Sequence, residues 1–90
     1  MKSIMQRDKK CWVCGRTDGL EKHHCIHGTA NRKLSERYGL TVWLCSWHHR
    51  GPEGVHFDAA RDLSLKREAQ KAFESKYGNR FLAVFGRNYL

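Results

Sequence analysis

Two pairs of metal-binding residues with the same spacing constrain the fold of this chain more than any other feature. The stretch "CWVC" supplies Cys11 and Cys14, and "CSWH" supplies Cys45 and His48. Each pair can span one edge of a tetrahedral zinc site, and the chain must fold back on itself to bring the two pairs together. The sequence therefore predicts one structural Zn²⁺ on these four residues.

The length of the chain favours the same interpretation. A chain of 90 residues buries only about 60 to 65% of its unfolded surface, so a metal ion would add needed stability. The alternative is that Cys11 and Cys14 form a redox pair and that Cys45 is simply a buried strand residue, but the βαβ pattern of a thioredoxin is missing. Cys25 is expected to be a small buried apolar residue.

The charge of the chain indicates the kind of partner. Seventeen Lys and Arg against nine Asp and Glu give a net charge of +8 and a pI near 9.7, which favours a polyanion such as nucleic acid. A solvated basic surface that serves solubility is the alternative. The candidate phosphate-contacting residues are Lys9, Lys10, Arg32, Lys33, Arg37 and Arg87.

No segment of the sequence indicates export or membrane insertion. The first ten residues, "MKSIMQRDKK", lack the apolar stretch of a signal peptide, and no apolar run approaches the length of a membrane span. We therefore expect a cytoplasmic protein without membrane association. The absence of linkers and repeats predicts a single domain over 1–90, with a Cys- and His-rich part (11–57) and a helical part (62–90).

The helical part shows a clear periodicity. The segment "DLSLKREAQKAFESKYG" predicts a helix that begins with Asp62 or Ser64 as N-cap and ends before Gly78. Its apolar face would contain Leu65, Ala69, Ala72, Phe73 and Tyr77.

Four shorter elements are also predicted. A second C-terminal helix should run from Asn79 as cap to Gly86. The segment "ANRKLSERYG" predicts a helix with Leu34 and Tyr38 inward, and "LEKHHC" and "LTVWLC" predict strands. The overall expectation is an α+β fold.

Five histidines remain after His48 is assigned to zinc, which is more than packing requires in so short a chain. They are His23, His24, His27, His49 and His56. Because side chains alternate along a strand, His23 and His24 should point to opposite faces. One histidine can then serve as a metal ligand while its neighbour does different work.

Together these motifs resemble the HNH endonucleases, also called the His-Me finger or ββα-metal family, in their small zinc-containing phage and prophage form. The motifs are "CWVCG", "LEKHHCIHG" and "LTVWLCSWHHRGPEGVH", which cover residues 11–57. His48 stands where the family usually has a second cysteine. The resemblance implies a zinc-stapled ββα-metal core followed by C-terminal helices, and metal-dependent hydrolysis of DNA that leaves a 5′-phosphate and a 3′-hydroxyl.

The resemblance also implies roles for individual histidines. His23 and His49 match metal ligands, and His24 matches the general base that activates water. His56 matches the last ligand, but it follows His49 by a longer gap than the family usually shows, so "RGPEG" must loop out. Asp58 is the alternative to His56.

Two further residues are assigned by the same resemblance. The Asn that gives the family its name is displaced, and Asn31 is expected to brace the loop between the strands instead. Arg50 is expected to hold the scissile phosphate by bidentate contact, or else to be a solvated surface residue.

Ligand chemistry and charge suggest a cofactor and a substrate. Three imidazoles suit Mn²⁺, Ni²⁺, Co²⁺ or Zn²⁺ better than Mg²⁺ for a catalytic cation. Double-stranded DNA with weak sequence preference is the expected substrate, cut as a nick or a double-strand break. A zinc-stapled DNA-binding protein or inhibitor, and an accessory to phage packaging or recombination proteins, are the alternatives.

Overall fold

The computed structural model describes residues 2–90 and contains two strands and four helices in that range. In chain order they are β1 (Leu20–His24), α1 (Thr29–Tyr38), β2 (Thr41–Cys45), α2 (Ser46–Arg50), α3 (Ala59–Tyr77) and α4 (Phe81–Phe85). The protein is thus a small mixed α/β fold, as the sequence predicts at this level.

The two strands form an antiparallel hairpin that α1 interrupts. His23 pairs with Val42 and Glu21 with Leu44, so these four side chains share one face of the sheet. Ser35 of α1 fixes the connection, since its hydroxyl donates to Ile26 O at 2.6 Å and accepts from Ile26 N at 3.2 Å. Within residues 2–90, Asn31 makes no such hydrogen bond. Ser35, and not the predicted Asn31, therefore braces the connection between the two strands.

The N-terminal segment covers the outer edge of β2. Ile4 N donates to Gly39 O at 2.9 Å, and Trp12 N donates to Trp43 O at 2.8 Å. Between them, the Gln6 side chain accepts from Trp43 N at 2.8 Å. These bonds satisfy backbone groups that an exposed strand edge would otherwise offer to other chains.

Helix α3 starts earlier than the sequence predicts. Asp58 caps it by accepting from Arg61 N at 3.0 Å, so the predicted caps Asp62 and Ser64 are wrong and lie inside the helix. The predicted inward face is largely correct, because Leu65, Ala69 and Phe73 are buried, while Ala72 and Tyr77 are half-buried.

Helix α4 closes the core against α3. Phe81 stacks on Phe85 with ring centroids 4.7 Å apart, and both contact Phe73. Its N-cap is Arg80 rather than the predicted Asn79, and Gly86 ends it with a φ of 77°, a conformation that suits glycine. No helix in the described part of the chain is both long enough and apolar enough to cross a membrane.

Candidate metal centres

The predicted zinc ligands come together where the hairpin meets the knuckle, the turn formed by Cys11 to Cys14 ahead of β1. Cys45 ends β2 and His48 lies one turn later in α2. Cys14 Sγ lies 3.8 Å from Cys45 Sγ, and His48 Nδ1 lies 3.3 Å from Cys45 Sγ and 3.8 Å from Cys11 Sγ. With Zn–S bonds of about 2.3 Å, a tetrahedral edge is about 3.8 Å long. This cluster can hold a metal ion and is compatible with structural zinc.

The cysteine chemistry also suits a metal. Burial opposes ionisation of the Cys11 thiol, but backbone N–H groups of Cys14, Cys45 and Val13 lower its pKa to about 6. Thiolate is the form that binds zinc. Burial raises the pKa of the Cys25 thiol, and its Sγ lies 3.6 Å from the sulfur of Met5, so Cys25 is an apolar packing residue as expected.

A second cluster brings together the three histidines that the sequence singled out. His23 of β1, His49 of α2 and His56 of the following loop each offer a ring nitrogen within 4.8 Å of the others. His49 Nε2 and His56 Nε2 are 3.1 Å apart. Imidazole nitrogens bound at about 2.1 Å to one ion lie about 3.0 to 3.4 Å apart, so this pair already has ligand spacing.

His23 is the buried member of this cluster. Its side chain is only 3% exposed, and within residues 2–90 its Nε2 is buried without a hydrogen-bond partner. Burial lowers the pKa of His23 to about 3, and His49 and His56 add to this effect. Leaving a buried polar atom unpaired costs about 1 to 3 kcal/mol, a cost that a bound cation would remove.

Glu21 orients His49 through a contact that was not predicted from the sequence. His49 Nδ1 donates to Glu21 Oε1 at 2.7 Å. A carboxylate only accepts, so the proton must be on Nδ1 and the Nε2 lone pair faces the cluster. Hydrogen bonds from His49 and Arg50 lower the pKa of Glu21. The sequence signal was the two-residue spacing between Glu21 and His23, which places both side chains on the same face of β1.

The loop from Gly51 to Val55 positions the third histidine. Val55 is buried and its N donates to His48 O at 3.0 Å. Gly54 packs so closely on α2 that a Cβ there would lie 2.8 Å from the His49 carbonyl. The seven-residue step from His49 to His56 is therefore accommodated, and Asp58 serves as the cap of α3 instead of completing the cluster.

His24 lies on the opposite face of β1 from His23, as the strand pattern predicts. Its Nε2 donates to Glu36 Oε2 at 2.9 Å, and Lys22 Nζ donates to Glu36 Oε1 at 3.1 Å. Because the carboxylate accepts a hydrogen bond from Nε2–H, the neutral ring carries its lone pair on Nδ1. Glu36 therefore fixes the tautomer of His24.

Two other polar residues take partners within the protein. Arg50 Nε donates to Glu21 Oε1 at 3.0 Å, and the arginine side chain remains 67% exposed. His27 Nε2 lies 3.3 Å from both oxygens of Asp62, and its ring centroid is 6.3 Å from that of His23. Asp62, which was predicted as a helix cap, instead contacts His27, the neighbour of His23 in the histidine cluster.

The predicted phosphate-contacting residues are spread over the surface. Lys9, Lys10, Arg32, Lys33, Arg37 and Arg87 are all exposed. Lys9 Nζ lies over the Trp43 ring at 4.5 Å, and Arg87 lies beside Tyr89 at 5.5 Å.

The chain has no significant match among family models, curated proteins or solved structures.

Proposed function

We propose that this protein is a metal-dependent endonuclease of the HNH type that hydrolyses DNA phosphodiester bonds. The observation that carries the proposal is the cluster of His23, His49 and His56, in which a buried Nε2 lacks a partner and two others are at ligand spacing. All three ligands are neutral imidazoles, which favours Mn²⁺, Ni²⁺, Co²⁺ or Zn²⁺ over Mg²⁺.

The three histidines of the cluster differ in exposure to solvent. His23 is buried, His49 is half-buried, and His56 is exposed, so a substrate would approach from the side of His56. A divalent cation held there would act as a Lewis acid on a phosphate oxygen. The strand, helix and loop that carry the three ligands are tied together by Glu21 and by the bond from Val55 to His48.

In this proposal His24 is the general base. Its Nε2 donates a hydrogen bond to Glu36, so Nδ1 would accept the proton of the attacking water while the phosphorus–oxygen bond to the 3′ oxygen breaks, and that oxygen would take a proton from solvent water. Glu36 thus orients the imidazole of His24 in this proposal. Zinc on Cys11, Cys14, Cys45 and His48 would fix the start of α2, and with it His49.

A plasmid-nicking assay tests this function directly. The protein should nick supercoiled DNA in the presence of Mn²⁺ or Ni²⁺, less well with Mg²⁺, and not with EDTA. The variant His49→Ala, purified in the same way, controls for contaminating nucleases. Absence of cleavage with each of these ions, or equal cleavage by His49→Ala, contradicts the proposal.

The second candidate is a zinc-stapled DNA-binding or accessory protein, such as an inhibitor or a phage packaging component. The exposed ion pair between Arg50 and Glu21 is compatible with it, because the guanidinium next to the histidine cluster then has a partner other than a phosphate. DNA binding without cleavage in the nicking assay would support this candidate.

A further inference from the structure

A groove opens between the N-terminal segment and the hairpin. Its volume is about 1070 Å³, and its lining includes Lys2, Arg7, Lys22 and Trp43. Lys22 lies two residues before His24 on β1, so both side chains point to the same face of that strand. The groove is therefore bordered by the His24 face of the hairpin, and none of the three clustered histidines lines it.

The side chains around the groove carry positive charge. Three of its lining residues are Lys or Arg, and none of those in the described part of the chain is Asp or Glu. Within residues 2–90, Lys2 and Arg7 form no ion pair, whereas Lys22 Nζ lies 3.1 Å from Glu36 Oε1. Asp8 follows Arg7 in the chain but does not line the groove. Exposed cations without carboxylate partners favour an anionic ligand.

The backbone on the N-terminal side of the groove is held in place. Ser3 Oγ accepts from Met5 N and Gln6 N, both at 3.0 Å. Ile4 N donates to Gly39 O at 2.9 Å. These N–H groups are already used, whereas a site for a small anion typically offers successive free backbone N–H groups. What the groove offers instead is cationic side chains, the groups that contact the phosphates of nucleic acids.

We infer that this groove binds the phosphate backbone of the DNA, with Lys2, Arg7 and Lys22 as phosphate contacts. The positive side chains come from two separate segments, the N-terminal segment and β1, which favours a chain of phosphates over a single one. The identification of the polyanion as DNA rests on the proposed function. None of these three residues is among the phosphate contacts predicted from the sequence.

Lysine footprinting tests the inference without any mutation. The protein is acetylated with an N-hydroxysuccinimide ester, alone and with a short DNA duplex, without added Mn²⁺ or Ni²⁺ so that no cutting occurs. Mass spectrometry measures the modification rate of each lysine. At saturating DNA, Lys2 and Lys22 should react at least about 5-fold more slowly, because each amine is then paired with a phosphate. Lys71 and Lys76 on α3 are the matched controls and should react at unchanged rates.

Three results of the footprint overturn the inference. The first is protection of Lys33 on α1 without protection of Lys2 and Lys22, which would place the DNA elsewhere. The second is full protection by inorganic phosphate at the same ionic strength, which would indicate a small-anion site. The third is equal protection by poly-glutamate, which would indicate an acidic protein as the partner.

A salt titration of DNA affinity provides an independent measurement. The double variant Lys2→Gln/Arg7→Gln changes two exposed positions, and it should reduce the slope of log K against log salt by about 2, since each phosphate contact contributes about 0.9. The control Lys71→Gln/Lys76→Gln should keep the wild-type slope, and an unchanged slope in the groove variant overturns the inference. If the wild type never cuts DNA but shows both effects, the inference stands and the nuclease function fails. If it cuts DNA without them, the reverse holds.

Discussion

His23 and His24 are neighbours on β1, but their imidazoles meet different partners. His23 faces His49 and His56 with an unpaired Nε2, whereas His24 donates to Glu36 on the other face. Because adjacent side chains point to opposite faces, His24 would have to reach the phosphate around the end of β1, of which it is the last residue. In the proposed function, these two residues should respond differently to mutation.

His24→Ala removes the proposed base but no metal ligand. The protein should fold, keep its metals and bind DNA, while cleavage falls by about 10² to 10⁴. His23→Ala should instead weaken the catalytic metal, so excess Mn²⁺ or Ni²⁺ should restore part of its rate by mass action. Nicking rates measured across a metal titration distinguish the two. Normal cleavage by His24→Ala would show that the base is elsewhere, with His27 as the next candidate.

Glu21 offers a second test at the scale of single residues. Glu21→Gln should weaken metal binding to the histidine cluster by about 10- to 100-fold, because the amide no longer enforces the proton on His49 Nδ1. Titration with Co²⁺ or Ni²⁺ followed by absorbance measures this affinity.

Arg50→Gln is the matched control for Glu21→Gln, since it removes the other partner of Glu21 and leaves the bond to His49. It should bind metal almost as well as the wild type. Equal losses in the two variants would mean that the ion pair, and not the orientation of His49, supports the site.

The ligands were predictable from the sequence because each motif fixes its residues by local spacing. The C-x-x-C and C-x-x-H pairs indicate two halves of one tetrahedron, and the structure brings Cys11, Cys14, Cys45 and His48 together. The carboxylates that contact His49 and the proposed base His24 were not predicted, although Glu21 is spaced to share a face of β1 with His23. Glu21 and Glu36 lie 28 and 12 residues from the histidines they bind, and no sequence motif links such pairs.

Helix α3 shows how a boundary prediction fails when several capping residues stand close together. Asp58, Asp62 and Ser64 are all good N-caps by type, and the apolar periodicity becomes clear only from Leu65. The choice of Asp58 is made by tertiary structure, because the turn from Gly54 to Asp58 is packed against α2 and leaves Asp58 free to accept from Arg61 N.

The cap assignment can be tested by chemical denaturation. Asp58→Ala should lower the free energy of unfolding by about 1 kcal/mol, since the hydrogen bond to Arg61 N is lost. Ser64→Ala, at an exposed position inside α3, should change it by less than about 0.5 kcal/mol. The midpoints of urea unfolding, with zinc present throughout, provide the comparison. A larger loss of unfolding free energy in Ser64→Ala than in Asp58→Ala would instead support Ser64 as the N-cap.

At the scale of the whole molecule, the cluster of Cys11, Cys14, Cys45 and His48 joins the N-terminal segment to β2 and α2. A backbone bond from Trp12 N to Trp43 O also joins these segments. The buried core combines aliphatic residues such as Ile26, Leu40 and Leu44 with an aromatic group on α3 and α4. Folding and metal binding are coupled in such domains. Cys14→Ser should therefore lose zinc and most helical circular dichroism, and Cys25→Ser, at a buried cysteine outside the cluster, should keep its zinc. An unchanged spectrum without zinc in elemental analysis would contradict the coupling.

The net charge of +8 makes a prediction about DNA affinity that does not depend on cleavage. If exposed residues such as Arg32, Lys33 and Arg37 contact phosphates, binding releases counterions, and the logarithm of the association constant falls linearly with the logarithm of salt concentration. Replacing Arg32 and Lys33 by Ala should reduce the slope by about 2, since each phosphate contact contributes about 0.9. Replacing Lys71 and Lys76 on α3 controls for net charge alone. Affinity that is independent of salt, or equal slopes in all proteins, would indicate that α1 does not face DNA.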